Sequence, residues 1–255
     1  MLLYILLVSF VIVALGLAWF LTARDYGPKE PIGALWLAAG FGLLGGVAAA
    51  LLESKIIPRD ALLPGSAHSQ LLYAVLGVGV IEELCKFLPL AIFLYPKRFF
   101  NEHTDGVIYF ALAGLGFGLP ENLLYTLQFG AQTGVGRVLL TPFFHAAITG
   151  VVGYWLAKQK LAGKRPLTIA PILVAAMLAH SFYDYGMSAG VALYSVVSVA
   201  MALLLSIGLF YVFVRATELD QDQGLSIVGH NAFCRTCGKP NPEHHLYCTY
   251  CGNNA

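Results

Sequence analysis

Long apolar runs dominate the pattern of hydrophobic and polar positions along the chain. A helix rises 1.5 Å per residue, so about 20 apolar residues cross a hydrocarbon core of roughly 30 Å. About seven runs are long enough, at residues 2–21, 32–52, 70–95, 105–129, 137–157, 168–189 and 191–214. The pattern therefore predicts an all-α polytopic membrane protein with about seven transmembrane helices.

Composition supports this fold class. Of the 255 residues, 58% are hydrophobic and 11% are charged, whereas an ordinary soluble domain has about 25% charged residues. The basic residues are scattered through loops and form no stripe, which disfavours a nucleic-acid partner. The first run begins without Lys or Arg, so we interpret it as a retained helix, with a cleaved signal peptide as the alternative.

Basic residues in the short loops predict how the protein is oriented. Loops on one side carry Arg24, Lys29, Lys97, Arg98, Lys158, Lys160, Lys164, Arg165 and Arg215, and loops on the other carry Lys55, Arg59 and Arg137. The side with more Lys and Arg usually faces the cytosol. We therefore expect an integral protein of the cell membrane with its N-terminus outside and its C-terminal tail in the cytosol.

The third apolar run is interrupted near its middle by Glu82, Glu83 and Lys86. A charge at that depth costs roughly 2.5–3.5 kcal/mol on insertion scales, so residues of this kind are usually functional. Helical spacing puts Glu82 and Lys86 on one face and turns Glu83 about 100° away. A structural salt bridge is the simpler interpretation, but the doubled glutamate leaves one carboxylate in excess.

Later runs contribute Glu121, His145 and His180 at depths similar to that of Glu82. A shared depth favours one site built from four helices. His180 and Asp184 are four residues apart in the sixth run, a spacing that suits a carboxylate orienting an imidazole.

These residues resemble a known family. Glu82-Glu83-Leu84-Cys85-Lys86 resembles the EExxK motif of the PrsW-type intramembrane proteases, and four further segments continue the resemblance in order across about residues 70–190. They are Asp105 to Tyr109, Gly116 to Tyr125, Phe144-His145 and His180 to Asp184. The family is distantly similar to CAAX-processing and bacteriocin-type membrane proteases. Glu121 stands where those proteins have His, and Asp184 stands where they have Asn.

The resemblance implies hydrolysis of peptide bonds in membrane-anchored regulatory proteins, such as anti-sigma factors. This chemistry needs a base that activates water and a donor for the oxyanion. The expected catalytic set is Glu82, Glu83, Lys86, Glu121, His145, His180 and Asp184. Glu82, with Glu83 beside it, is the candidate base, assisted by His145 or Glu121. His180, oriented by Asp184, is the candidate oxyanion donor or third water contact.

Two mechanisms remain open at this point. In one, Glu121, His145, His180 and one of the paired glutamates bind a Zn²⁺ ion that activates water. In the other, Glu82 acts without a metal, and the chain has no HExxH segment that would favour zinc. An ion- or proton-coupled transporter is the alternative function, although the two halves show no repeat. An inactive protease-like scaffold is a further alternative.

The C-terminal tail carries Cys234, Cys237, Cys248 and Cys251 in two Cys-x-x-Cys-Gly segments. Four thiolates at this spacing predict a tetrahedral Zn²⁺ site, because a redox dithiol would need one pair beside a βαβ unit. We therefore expect three parts: a transmembrane protease domain at 1–215, a linker at 216–231 and a zinc ribbon at 232–255. In the cytosol such a ribbon is expected to bind a protein partner, because only Arg235 and Lys239 favour nucleic acid.

Overall fold

A computed structural model describes residues 2–25, 29–62 and 67–222. In these ranges all regular structure is helical. The α-helices are α1 (Leu2–Ala23), α2 (Ile32–Ile56), α3 (His68–Phe93), α4 (His103–Phe129), α5 (Ala131–Leu161), α6 (Ala170–Ser188) and α7 (Ala192–Asp222), with 3₁₀ turns at Arg59–Leu62 and Pro166–Ile169. The all-α prediction is confirmed for this part of the chain. The cysteines of the predicted ribbon lie outside the described residues, so the ribbon and its zinc remain predictions.

Six of these helices have the length and composition of membrane spans. They lie at Leu3–Ala23, Ile32–Ile56, His103–Phe129, Ala131–Leu161, Leu167–Ser188 and Ala192–Asp222. The prediction of an integral membrane protein is therefore confirmed. Helix α3 is long enough as well, with 26 residues, but it carries Glu82, Glu83 and Lys86 within its apolar sequence.

Helix α4 forms the centre of the bundle because small residues let its neighbours approach closely. A Cβ atom on Gly106 would lie 2.2 Å from the carbonyl oxygen of Gly153 in α5, and one on Gly114 would lie 2.3 Å from that of His145. Helix α2 packs on another side, where a Cβ atom on Gly42 would lie 1.9 Å from the carbonyl oxygen of Ala113. Contacts this close exclude any side chain, so the glycines determine how α2, α4 and α5 stack.

Helix α7 continues to Asp222, past the boundary expected at residue 215. The expected linker is therefore corrected for residues 216–222, which are helical and bury Ala216, Thr217 and Asp220. The physical reason is a tertiary contact. The Asp220 carboxylate accepts hydrogen bonds from the backbone N–H groups of His103 at 2.8 Å and Thr104 at 2.9 Å, in the first turn of α4.

Candidate active site

Helix α3 directs all three of its central ionisable side chains into the bundle. Glu82, Glu83 and Lys86 are 4%, 1% and 1% exposed. Lys86 Nζ lies 3.2 Å from Glu82 Oε2 and 2.8 Å from Glu83 Oε1. Lys86 therefore contacts both carboxylates, although helical spacing places only Glu82 on its face. A lysine side chain is long enough to reach both the third and the fourth residue before it.

Helix α6 brings His180 against the same carboxylates. His180 Nδ1 lies 2.7 Å from Glu83 Oε1, whereas Nε2 lies 3.4 Å from Glu82 Oε2 and 3.6 Å from Asp184 Oδ2. The expectation that Asp184 orients this imidazole is therefore corrected, because 3.6 Å is too long for a hydrogen bond. Glu83, from another helix, holds the ring.

Helices α4 and α5 add Glu121 and His145. His145 Nε2 lies 2.6 Å from Glu121 Oε2, although the contact lacks the angle of a hydrogen bond. On its other side His145 Nδ1 faces Lys86 Nζ at 3.3 Å. His145 thus lies between an acidic and a basic side chain, and the four helices identified from the sequence meet at one place.

Arg137 is the main residue that the sequence analysis missed. The pattern of apolar runs predicts an outer loop at Arg137, but α5 begins at Ala131, so Arg137 lies inside the helix. Its guanidinium pairs with Glu121 Oε1 and donates through Nε to Asn122 Oδ1 at 2.8 Å. The signal that could have revealed it is Glu121 itself. A glutamate without a basic neighbour in its own helix needs a cation from elsewhere.

A fifth carboxylate comes from α2, which no motif included. Glu53 interacts electrostatically with Glu82, Glu121, Asp184 and His180. Its Oε1 atom is buried and has no hydrogen-bond partner in the part of the chain that the structure describes.

The cluster therefore holds more negative than positive charge. Its acidic side chains are Glu53, Glu82, Glu83, Glu121 and Asp184, and its permanently basic ones are Lys86 and Arg137. An uncompensated charge is expensive inside a protein, so such an excess favours a bound cation or protonated groups.

Three side chains in this cluster, one glutamate and two histidines, offer a set of metal ligands. One donor atom each from Glu82, His145 and His180 lies within 4.8 Å of the others, the one such group among the described residues. Glu83 stands behind His180 Nδ1 and Glu121 stands near His145 Nε2, which leaves His180 Nε2 and His145 Nδ1 available. A carboxylate behind each metal-binding imidazole is the usual arrangement in metalloproteins. The three residues and their donor atoms therefore fit a metal ion. Binding requires the Lys86 ammonium, which lies 3.3 Å from His145 Nδ1, to move away from that nitrogen toward Glu83.

Comparison with known proteins gives consistent matches. The family described as PrsW family intramembrane metalloprotease matches residues 30–216. A protein named Protease PrsW from Bacillus subtilis is 36% identical over 118 residues, which are 45% of this chain and 53% of that protein, so the chain spans about half its length. Protease PrsW from Halalkalibacterium halodurans is 31% identical over 169 residues, which are 66% of this chain and 76% of the relative. Protease PrsW from Oceanobacillus iheyensis is 27% identical over 208 residues, which are 80% of this chain and 93% of the relative. No solved structure matches.

Proposed function

The chain belongs to the PrsW family of intramembrane metalloproteases, and from this membership and the geometry of the buried cluster we propose that it hydrolyses peptide bonds of membrane-anchored regulatory proteins. The observation that carries the proposal is the convergence of Glu82, His145 and His180 inside a helical membrane bundle. In this proposal α3 crosses the bilayer as a seventh span, because its charged residues face the bundle interior and not lipid.

The proposed metal is Zn²⁺, held by Glu82, His145 and His180, because two histidines and one glutamate are an established ligand set for catalytic zinc. When bound, zinc lowers the pKa of a coordinated water toward neutrality and polarises a carbonyl group. Glu83 holds the His180 imidazole through Nδ1, and the Glu121 carboxylate lies against His145 Nε2, the nitrogen that would face away from the metal. This assignment moves Glu121 from the ligand role expected from the sequence to a supporting role behind His145.

The remaining side chains supply proton transfer and charge. Asp184 lies 3.6 Å from His180 Nε2 and its side chain is 14% exposed, more than those of Glu82 and Glu83. We assign it as the base that takes a proton from the attacking water and returns it to the leaving amine. Lys86 carries a buried ammonium beside the ligands, and we assign it to the oxyanion that forms on the attacked carbonyl. If no metal binds, Glu82 is the base, as the sequence suggested.

The proposed orientation places the N-terminus outside and the tail in the cytosol. Contacts at one end of the bundle support it. Lys160 Nζ at the end of α5 donates to the carbonyl oxygens of Lys97 and Phe100 at 3.0 and 2.8 Å, so two of the basic segments share one face. The cluster then lies toward the outer surface, which suits cleavage near the external end of a substrate span. The cytosolic ribbon is proposed to bind a protein partner.

The decisive experiment compares membrane proteomes of cells that express the wild type or Glu82→Gln. We expect at least one anchored protein to be shortened only with the wild type. A zinc chelator should then abolish cleavage of that protein by purified full-length enzyme, and a Cys234→Ser, Cys248→Ser variant should remain equally sensitive, because the tail cysteines are not the catalytic ligands. Identical proteomes for wild type and Glu82→Gln would refute the proposed protease function.

A further inference from the structure

A second group of buried polar residues surrounds the first turns of α4, far along that helix from Glu121. We call it the helix-start cluster, and its members are Glu30, Glu102, His103, Asp105, Tyr109 and Asp220. Glu102 is 1% exposed, and Asp105 and Asp220 are 0% exposed. The segment Asp105 to Tyr109 also belongs to the family-like pattern in the sequence, yet the proposed catalytic steps do not use it.

Backbone N–H groups match much of the negative charge in the helix-start cluster. Asp220 accepts from His103 and Thr104, and Asp105 Oδ2 accepts from the N–H groups of Asn101 at 2.6 Å and Glu102 at 2.7 Å. Unpaired N–H groups at a helix N-terminus favour carboxylates in this way. These interactions account for Asp220 and for one oxygen of Asp105.

Among the described residues, no side-chain or backbone hydrogen-bond donor accounts for the remaining oxygen of Asp105, whose carboxyl group interacts with that of Glu30. The Glu30 carboxylate accepts a hydrogen bond from the Tyr109 hydroxyl. Tyr109 lies one helical turn after Asp105 on the same face of α4, so the Glu30 and Asp105 carboxyl groups interact electrostatically. Asp105 Oδ1 is buried and has no hydrogen-bond donor among the residues described. Two adjacent carboxylates cannot both be ionised in such a place at an acceptable free energy. Either one of the two carboxyl groups is protonated, or a cation lies between them.

The neighbouring basic side chains do not supply that cation. Lys29 Nζ donates to the carbonyl oxygens of Thr22 and Asp25. Lys160 interacts electrostatically with Asp105, but its Nζ donates to carbonyl oxygens between α3 and α4 and makes no hydrogen bond to either carboxyl group. The imidazole of His103 faces Asp220 at 2.6 Å. Asp25 and Glu102 add further negative charge to the same place.

A metal ion is also disfavoured there. Within the described ranges, no three acidic or imidazole donors of the helix-start cluster converge closely enough to bind one. A proton needs only the two carboxyl groups that already interact with each other.

We propose that Glu30 and Asp105 share one proton, and that this proton fastens the segment before α2 to the start of α4 as a pH-sensitive latch. Burial, the largest influence, raises the pKa of Glu30 above its ordinary value and that of Glu102 to about 9. A raised carboxyl pKa means that the folded state holds the proton more tightly than the unfolded chain does. The stabilisation that the shared proton gives to the folded state is therefore complete at low pH, and it is lost as pH rises through the raised pKa of the carboxyl group that holds the proton.

The test is hydrogen exchange of the full-length protein in detergent at several pH values from about 5 to about 9, corrected for chemical exchange rates. In the wild type, the opening constant of the hydrogen-bonded amides in peptides covering residues 31–38 and 101–109 should increase at least about tenfold with pH, the equivalent of one pKa unit. Glu30→Gln and Asp105→Asn should each remove this dependence when introduced into a Glu102→Gln protein, in which Glu102 no longer titrates, because their amide groups can donate a hydrogen bond at every pH. Glu218→Gln, at an exposed position of the same helical end, should keep it.

A wild-type protein whose peptides open equally at all pH values would overturn the proposal, and this measurement does not depend on any variant folding. Variants that keep the full wild-type dependence would overturn it too. If Mg²⁺ or Ca²⁺ restored protection at high pH, the bridging charge would be a metal ion and the shared proton would be wrong. None of these measurements requires protease activity, so they stand apart from the proposed function.

Discussion

The two ends of helix α4 enter two buried polar clusters that satisfy their carboxylates in different ways. At its start, Asp220 and Asp105 accept hydrogen bonds from backbone N–H groups. Toward its other end, Glu121 faces the His145 imidazole and the Arg137 guanidinium. A carboxylate that accepts hydrogen bonds from backbone amides has a structural role. A carboxylate beside one nitrogen of an imidazole leaves the other ring nitrogen able to bind a metal ion.

The same contrast separates the expected effects of substitution. Residues of the helix-start cluster hold helices together, so their loss should reduce stability. Residues of the other cluster, which surrounds Glu82, His145 and His180 and is called the proposed catalytic cluster, carry an excess of buried negative charge, and natural proteins retain such charge where it has a chemical use. Substitutions in the two clusters should therefore change different measurements, with activity affected most in one and unfolding in the other.

The largest effect is expected for His180→Ala in the proposed catalytic cluster. The variant removes one of three proposed ligands. Replacing a residue that only hydrogen-bonds to a metal ligand lowers activity by up to about a hundredfold, so cleavage by His180→Ala should fall by more than that. Full-length protein should also lose one zinc ion per chain relative to the wild type, measured by metal analysis. An unchanged metal content in a folded variant would show that His180 is not a ligand.

A sharper comparison within the cluster sets Glu83→Gln against Asp184→Asn. Glu83 lies 2.7 Å from the His180 ring and Asp184 lies 3.6 Å from it. We expect Glu83→Gln to weaken zinc binding roughly 10–100-fold, whereas Asp184→Asn should leave zinc binding unchanged and lower kcat. Zinc titration against a competing chelator, together with cleavage kinetics, separates the two results. Equal zinc affinities in the two variants would contradict the role given to Glu83.

The sequence predicted much of this arrangement because its strongest signals are local. Apolar runs reveal membrane helices, and ionisable residues such as Glu82 and His180 are conspicuous inside them. Helical spacing, however, reports only neighbours within one helix. It therefore suggested Asp184 as the partner of His180, whereas the observed partner, Glu83, comes from α3.

Arg137 and Asp220 escaped prediction for a related reason. Arg137 lies at the edge of an apolar run and Asp220 lies six residues beyond one, where composition alone suggests a loop. Arg137 is helical and pairs with Glu121 of α4, and Asp220 is helical and binds the N-terminus of α4. Contacts between helices far apart in sequence decide where such helices begin and end, and no single run contains that information.

Asp220→Ala tests the structural role of the helix-start cluster. It removes the acceptor of the His103 and Thr104 N–H groups, so the free energy of unfolding should fall by about 1–2 kcal/mol. Activity per folded molecule should stay within about twofold, since the catalytic contacts remain. Thermal unfolding in detergent measures the loss, and Asp222→Ala, an exposed neighbour in α7, is the control. An equal loss in both variants would refute a specific role for Asp220.

The last prediction concerns Glu102, whose buried carboxyl has its pKa raised to about 9 by burial. Because the folded state binds this proton more tightly than the unfolded chain does, wild-type stability should fall as pH rises from about 4.5 toward about 9. Glu102→Gln stays neutral and can still accept the Asp105 N–H at the start of α4. Its Tm should match the wild type in acid and exceed it by a margin that grows steadily as pH rises toward about 9. Glu218→Gln serves as the exposed control, and parallel Tm curves for wild type and Glu102→Gln would show that Glu102 does not titrate with folding.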